Sequence, residues 1–136
     1  SELNILILMA GRGLRVSSIS QGLPKSLIKI YGKPLWEIVT RNLKLEKHRS
    51  SFTYVCREED CHLHLLDHEI FKKNLRANFV KLKEVTDGAA RSALLAAKTL
   101  DQDQPLLIAN SDQFFSHPFE DFFKRASDPK VDGLIM

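Results

Sequence analysis

Apolar residues occur along this chain in short blocks, most of which end in a polar or glycine-containing segment. Five blocks have the composition of strands and cover residues 3–9, 52–55, 79–85, 106–109 and 131–136. The first and fourth blocks are apolar at consecutive positions, which is typical of a parallel strand covered on both faces. The pattern therefore predicts a sheet made mainly of parallel strands.

Between these blocks, apolar residues recur at intervals of three and four, which predicts amphipathic helices. The predicted helices cover residues 34–45, 58–68 with an extension to 73, 89–100 and 118–126. In the first of them, the residues expected to face the core are Leu35, Ile38, Val39 and Leu43. Strands that alternate with helices favour a three-layer α/β sandwich with right-handed crossovers.

Composition limits the classes of partner. The 136 residues suffice for one domain with one core, and a net charge of +3 with interspersed signs does not suggest nucleic-acid binding. No apolar run reaches the roughly 18 residues of a membrane span, and residues 5–9 are too short for a signal peptide. Two cysteines do not make a disulfide framework. We therefore expect a cytoplasmic protein with no nucleic-acid or membrane partner.

The stretch from residue 5 to residue 25 carries the candidate chemistry. The apolar run of the first strand leads into a polar loop, in which the notable residues are Ala10, Gly11, Gly13 and Arg15, with Lys25 directly after it. Glycines let backbone N–H groups approach phosphate oxygens, and the two cations would neutralise phosphate charge. A Walker loop is excluded because the lysine follows Pro24, and a dinucleotide fingerprint because Val16 occupies the third glycine position. Gly-x-Gly alone would also fit an ordinary βα turn.

The longer run LMAGRGLRVSSISQGLPKSLIKIYGKP, residues 8–34, is more specific. It resembles the N-terminal signature of the sugar-phosphate nucleotidylyltransferases and the related cytidylyltransferases, although Leu14 stands where that family usually has threonine. The family transfers NMP from an NTP to a sugar 1-phosphate or similar phosphorylated alcohol and releases pyrophosphate. The resemblance implies a Rossmann-like nucleotide-diphospho-sugar transferase fold. It also implies that residues 1–136 are the nucleotide-binding part of one domain, incomplete at the C-terminus.

The resemblance assigns roles to individual residues. Ala10, Gly11 and Gly13 would contact the nucleotide, while Arg15 would act on the β- and γ-phosphates and Lys25 on the α-phosphate as catalytic cations. The alternative is that Arg15 and Lys25 are two exposed cations on a loop.

Two further turns follow predicted strands. Asp112 comes just after the fourth strand, and the resemblance makes it a ligand of Mg²⁺, which prefers oxygen donors. Gly88 and Ser92 flank the start of the helix at 89–100 and would bind the nucleotide, with Arg91 beside them. A solvated capping aspartate and a plain capped helix are the respective alternatives.

A cluster of potential metal ligands lies farther along the chain, at Cys56, Cys61, His62, His64 and His68. The spacing does not give a zinc knuckle, so we favour one half-buried cysteine and solvent-facing histidines.

The sequence therefore favours an Mg²⁺-dependent nucleotidyltransferase that uses an NTP and a phosphorylated sugar or alcohol. The resemblance suggests nucleotide-sugar synthesis for capsule or lipopolysaccharide, and it is compatible with a homo-oligomer. One alternative is a non-catalytic nucleotide-binding module. Another is a nucleotide-sugar glycosyltransferase, whose Asp-x-Asp pair would have to be Asp101 and Asp103, although these precede a strand.

Overall fold

A parallel sheet is the central feature of the computed structural model, which describes residues 3–10, 23–44, 49–83, 89–100, 103–110, 119–126 and 130. Its strands in chain order are β1 (Leu3–Leu8), β2 (Lys29–Ile30), β3 (Lys33–Pro34), β4 (Ser50–Arg57), β5 (Asn78–Leu82) and β6 (Leu106–Asn110). Among the described residues, four strands form the main sheet in the order β5-β4-β1-β6, all parallel. Strands β2 and β3 form a separate antiparallel hairpin.

Helices connect these strands. They are α1 (Leu35–Leu43), α2 (Glu58–His64), α3 (Leu66–Lys73), α4 (Ala89–Ala97) and α5 (Phe119–Ala126), with a 3-10 turn at Lys25–Leu27. No helix within the described ranges has the length and apolar character needed to cross a membrane.

Strand β1 lies inside the sheet, between β4 and β6, and all six of its residues are buried. On one of its faces, Ile5 and Ile7 pack with the buried side chains of α1 and α3, which include Trp36 and Ile70. On the opposite face, Leu6 and Leu8 pack with Ala93 and Ala96 of α4. Helices thus cover both faces of the sheet, and the predicted three-layer α/β class is confirmed.

The prediction of one continuous helix from residue 58 into the seventies is wrong. The helix breaks at Leu65, whose φ of 53° is left-handed. Cys61 and Leu66 are both buried although they lie five residues apart, and such positions occupy different faces of a continuous helix. The break realigns the chain, so that α2 buries Cys61 and α3 buries Leu66 and Ile70.

Other predicted boundaries shift by a few residues. Helix α1 ends at Leu43 rather than residue 45, with Trp36 buried and Ile38 only partly buried. Helix α4 ends at Ala97 rather than residue 100. The N–H of Leu100 donates to the Ala97 carbonyl oxygen at 3.1 Å. The described part of the fourth predicted helix begins at Phe119, and the strand predicted at 131–136 lies outside the described residues.

Strand β6 is covered less completely than its apolar sequence predicts. Leu107 and Ala109 pack against the cluster around Ile5 and Ile7, but Leu106 and Ile108 remain 42% and 46% exposed. The expectation of cover on both faces is therefore met on one face only.

Candidate functional site

The carboxyl ends of β1 and β6 lie side by side. Leu8 pairs with Val55 of β4 on one side and with Asn110 of β6 on the other. The chain runs from β1 outward to β4 and β5, then returns across the sheet to β6. Strand order therefore reverses next to β1, and ligands of open α/β sheets bind beyond the carboxyl ends of the strands at such a point.

A hydrogen bond and burial hold the two residues that directly follow β1. The N–H of Met9 donates to the Val55 carbonyl oxygen at 2.8 Å, which extends the strand pairing one residue beyond Leu8. Ala10 follows with 4% exposure and packs in the cluster that contains Ala93 of α4. The predicted phosphate-binding loop thus begins at the sheet edge, although Gly11, Gly13 and Arg15 lie outside the described residues.

The backbone around Lys25 is anchored to the core beside β1. It opens the 3-10 turn, in which the N–H of Leu27 donates to Pro24 at 2.9 Å and the N–H of Ile28 donates to the Lys25 carbonyl at 3.1 Å. Ser26 is 1% exposed, and Leu27 packs on the cluster that includes the end of β1. The Lys25 backbone is therefore anchored on both sides, while its side chain is only partly covered.

The Gly-Lys-Pro part of the signature has a structural explanation. Tyr31 and Gly32, with φ of 51° and 79°, form the turn between β2 and β3, and two left-handed residues are typical of a type I′ hairpin. Pro34 then ends β3 and stands at the N-cap of α1. The signature thus connects the Lys25 turn to the first long helix.

Helix α4 contributes the predicted Ser92. The parallel connection from β5 to β6 runs through this helix, which places its first turn toward the carboxyl edge of the sheet. Ser92 is buried at 4%, whereas the neighbouring Arg91 is exposed. Gly88 lies outside the described residues.

The two candidate metal sites, Asp112 and the Asp101–Asp103 pair, differ in position. Asp112 lies outside the described residues, two positions after Asn110, which ends β6 at the carboxyl edge. Asp103 precedes β6 and therefore lies toward the opposite edge of the sheet, while Asp101 is not described. Asp103 cannot join a site built at the carboxyl edge.

The sequence interpretation missed an ion pair where β4 leads into α2. Arg57 forms a two-pronged contact with Asp60, from Nε to Oδ2 at 3.2 Å and from Nη2 to Oδ1 at 3.1 Å. The hydrogen bonds that Arg57 donates to Asp60 raise the pKa of Arg57 above its ordinary value. Arg57 and Asp60 are three residues apart at the start of a helix, which is the signal that could have revealed the pair.

A cavity of about 440 Å³ lies beside this junction, lined by Glu58, Glu59, Cys61, His62, Leu65, Asp67, His68 and Lys81. Lys81 Nζ lies 2.8 Å from Asp67 Oδ2. Burial opposes ionisation of Asp67, but its contacts with Lys81 and the His68 N–H prevail, so that its pKa is lowered. The hydrogen bond to Asp67 raises the pKa of Lys81.

The cysteine and histidine cluster differs from its prediction. Both Cys56 and Cys61 are buried rather than one being half-buried, while His62 and His68 are exposed and His64 is intermediate. Within the part of the chain that the structure describes, no group of three or more potential metal ligands is assembled.

Comparison with known proteins identifies the family. Residues 4–136 match the profile of the family described as nucleotidyl transferase. This chain belongs to the nucleotidyl transferase family. It is 25% identical over 122 residues to the bifunctional protein GlmU of Methanocaldococcus jannaschii, which corresponds to 90% of this chain and 28% of that protein.

Solved structures share the fold. The inositol-1-phosphate CTP transferase of T. maritima matches with a TM-score of 0.68 at 20% identity, over 82% of this chain and 44% of that one. A candidate glucose-1-phosphate thymidylyltransferase of Bacillus anthracis, solved with sucrose, matches with a TM-score of 0.75 at 16% identity, over 94% of this chain and 51% of that one. The chain therefore spans about half the length of these structures.

Proposed function

We propose that residues 1–136 are the nucleotide-binding part of a nucleotidyltransferase domain. The domain would transfer NMP from an NTP to a sugar 1-phosphate or similar phosphorylated acceptor and release pyrophosphate. The observation that supports this most directly is the register of Leu8 with Asn110, since it brings the segments after β1 and β6 to one edge. The chain's membership of the nucleotidyl transferase family supports the same reaction class.

The residues at this edge suit a reaction in which positioning and charge stabilisation are the main requirements. Ala10, Gly11 and Gly13 would bring backbone N–H groups to the phosphates. Arg15 would neutralise the leaving pyrophosphate, and Lys25 the charge that builds on the α-phosphate. The anchored turn around Lys25 supports this role, because a fixed backbone limits the directions in which its ammonium group can reach.

Helix α4 would contact the nucleotide with its N-terminal end. Its first turn points toward the carboxyl edge, where the helix dipole favours an anionic ligand. Gly88 and Ser92 belong to this part of the proposed site.

Magnesium fits the oxygen donors of the segment after β6. Asp112 would be its ligand, with Asn110 at the strand end two residues before it. When bound, the ion would supply positive charge to the triphosphate. The acceptor and pathway follow from the family resemblance: a sugar phosphate used in cytoplasmic nucleotide-sugar synthesis for the cell envelope.

A ligand-induced shift in unfolding temperature, measured on the full-length protein that contains this chain, tests nucleotide binding. CTP, UTP, dTTP, GTP and ATP are compared with Mg²⁺, and one NTP at about 100 times its Kd should stabilise the protein by about 2.7 kcal/mol. Lys25→Ala should abolish most of this shift, whereas Lys29→Ala, an exposed lysine of β2, should retain it. Equal shifts in the two variants would contradict the role of Lys25.

Pyrophosphate release tests catalysis. The preferred NTP is incubated with Mg²⁺ and a panel of sugar 1-phosphates, and pyrophosphate should appear only with the correct acceptor. Binding without release under every condition would favour the non-catalytic module. Consumption of an NDP-sugar instead of an NTP would favour the glycosyltransferase.

A further inference from the structure

The chain's two cysteines lie near the carboxyl end of β4, and neither is among the residues of the proposed nucleotide site. Cys56 is the second-last residue of β4 and has no exposed surface. It lies opposite Lys81 of β5 in the sheet register, so both side chains leave the sheet on the same face. Cys61 of α2, with 7% exposure, packs on that face in the same core cluster as Cys56.

The two thiols contact each other. The hydrogen bond between them raises the pKa of Cys56, to which burial adds, and lowers the pKa of Cys61. Cys61 is therefore the thiol of the pair whose ionisation is favoured. Cys56 Sγ also lies 3.7 Å from the Tyr54 carbonyl oxygen, a second acceptor for its S–H group.

Cys61 borders the cavity of about 440 Å³ described above, so a small polar reagent can reach it from solvent. The basic side chains around this cavity are Lys81, His62 and His68, and the acidic ones are Glu58, Glu59 and Asp67. The ammonium group of Lys81 favours the thiolate of Cys61, whereas the carboxylate of Asp67 opposes it. Cys61 thus combines access from the cavity with a cation nearby, and these are two features of cysteines that react with oxidants.

Metal binding explains this pair less well. Structural zinc sites use four ligands, and the described ranges contain no group of three or more histidine, cysteine or acidic side chains that could hold a metal ion. Two adjacent thiols, one with a lowered pKa at the cavity and one with a raised pKa in the core, instead match the arrangement of an attacking and a resolving cysteine.

We propose that Cys56 and Cys61 form a hydroperoxide-reactive dithiol that closes reversibly to an intramolecular disulfide. The Cys61 thiolate attacks one peroxide oxygen, the O–O bond breaks, and a sulfenic acid and one water form. The Cys56 sulfur then attacks Cys61 Sγ, the S–O bond breaks, and a second water leaves with the Cys56 proton. Two thiols and one hydrogen peroxide thus give one disulfide and two waters, and an external thiol reverses the reaction.

Peptide mapping of the full-length protein tests the proposal. Folded protein is treated with hydrogen peroxide, denatured in iodoacetamide and digested with trypsin, which cuts after Arg57 and so separates the two cysteines. The expected product is a linked pair of peptides, residues 50–57 and 58–72, that dithiothreitol separates. Two alkylated peptides, over-oxidised Cys61 beside an alkylated Cys56, or disulfides only between chains would overturn the proposal.

Variants test the roles of the two sulfurs. In Cys56→Ser, dimedone should trap a sulfenic acid at Cys61, whereas Cys61→Ser should leave Cys56 unmodified by the same peroxide dose. Lys81→Gln should slow iodoacetamide alkylation of Cys61 about threefold, as expected for the loss of one nearby cation. The matched control Lys83→Gln, an exposed lysine outside the cavity lining, should alkylate at the wild-type rate. Equal rates in the two lysine variants would contradict the assigned attacking thiol, independently of how the buried cysteine variants fold.

Discussion

Leu8 of β1 and Asn110 of β6 are paired at the carboxyl edge of the sheet, although about a hundred residues of chain separate them. The pairing follows from the return of the chain across the sheet after β5, which makes β6 a direct neighbour of β1. Two segments that are distant in sequence therefore start from adjacent points. A triphosphate bound at this edge could contact both of them at once.

Ala10→Leu tests the importance of the point where the chain leaves β1. Ala10 is 4% exposed and packs with Leu8 and Ala93, so a larger side chain should cost about 1–3 kcal/mol of unfolding free energy through overpacking. It should also displace the proposed phosphate loop and weaken NTP binding. Chemical denaturation and the NTP-induced shift in unfolding temperature measure the two effects.

Ile70→Val is the matched control for this prediction. Ile70 is fully buried in the other core cluster, and its loss of one methyl group should cost about 0.5–1.5 kcal/mol. NTP binding should be unchanged in this variant. If Ala10→Leu also leaves NTP binding unchanged, the loop after β1 is not the nucleotide site.

The sequence was sufficient to predict the layers of the fold. Consecutive apolar residues in β1 predict burial on both faces, and the structure confirms it because helices pack on both sides. Parallel sheets place the carboxyl ends of β1 and β6 at one edge, but only the structure shows that these two strands pair directly. The roles of Arg15, Lys25 and Asp112 came from the family resemblance and stay predictions.

Features that depend on tertiary packing were not visible in the sequence. The break at Leu65 lacks a glycine or proline, and it exists because Cys61 and Leu66 must both reach the core. The contact between the Cys56 and Cys61 thiols depends on how α2 folds back on β4, which spacing alone does not determine. Likewise, the apolar pattern cannot show that Leu106 and Ile108 are exposed while Leu107 is covered.

The hairpin between β2 and β3 gives a pair of opposite predictions. Gly32→Ala should destabilise the protein by about 1 kcal/mol, because φ at this position is 79° and alanine disfavours that region. The new methyl group would meet nothing within 4 Å, so the cost is conformational and not steric. Tyr31→Asn should stabilise it by about 0.5 kcal/mol, since asparagine tolerates the left-handed φ of 51° better than tyrosine. Urea denaturation measures both, and changes of the same sign would contradict the explanation.

The contact between Arg57 and Asp60 should contribute to stability at the end of β4. Asp60 is 4% exposed, so Asp60→Asn should cost about 1–3 kcal/mol by weakening two charge-assisted hydrogen bonds. Arg57→Lys should also destabilise the protein, because lysine keeps the charge but lacks the planar fork. Glu59→Gln is the control: its side chain is 63% exposed and 3.8 Å from Arg57, so its loss should cost less than about 0.5 kcal/mol. Equal losses at Asp60 and Glu59 would show that the two-pronged geometry has no special role.

The ion pair between Asp67 and Lys81 predicts a specific dependence of stability on pH. The pKa of Asp67 is lowered from 3.8, so its contribution is present above that value and is lost as the pH falls through the lower folded value. The pKa of Lys81 is raised from 10.5, so its contribution is present below 10.5 and is lost as the pH rises through the higher folded value. Because the Lys81 side chain is 44% exposed, the pair should contribute only about 0.5–1 kcal/mol.

Asp67→Asn should therefore destabilise the protein near neutral pH by about that amount, and the difference from wild type should shrink in acid. Thermal unfolding from pH 3 to pH 8 measures the difference between the two proteins. Glu69→Gln provides the control, because the Lys72–Glu69 pair has side chains 67% and 46% exposed and should contribute almost nothing. A deficit in Asp67→Asn that is as large at pH 3 as at pH 8 would assign the effect to packing and not to the charge pair.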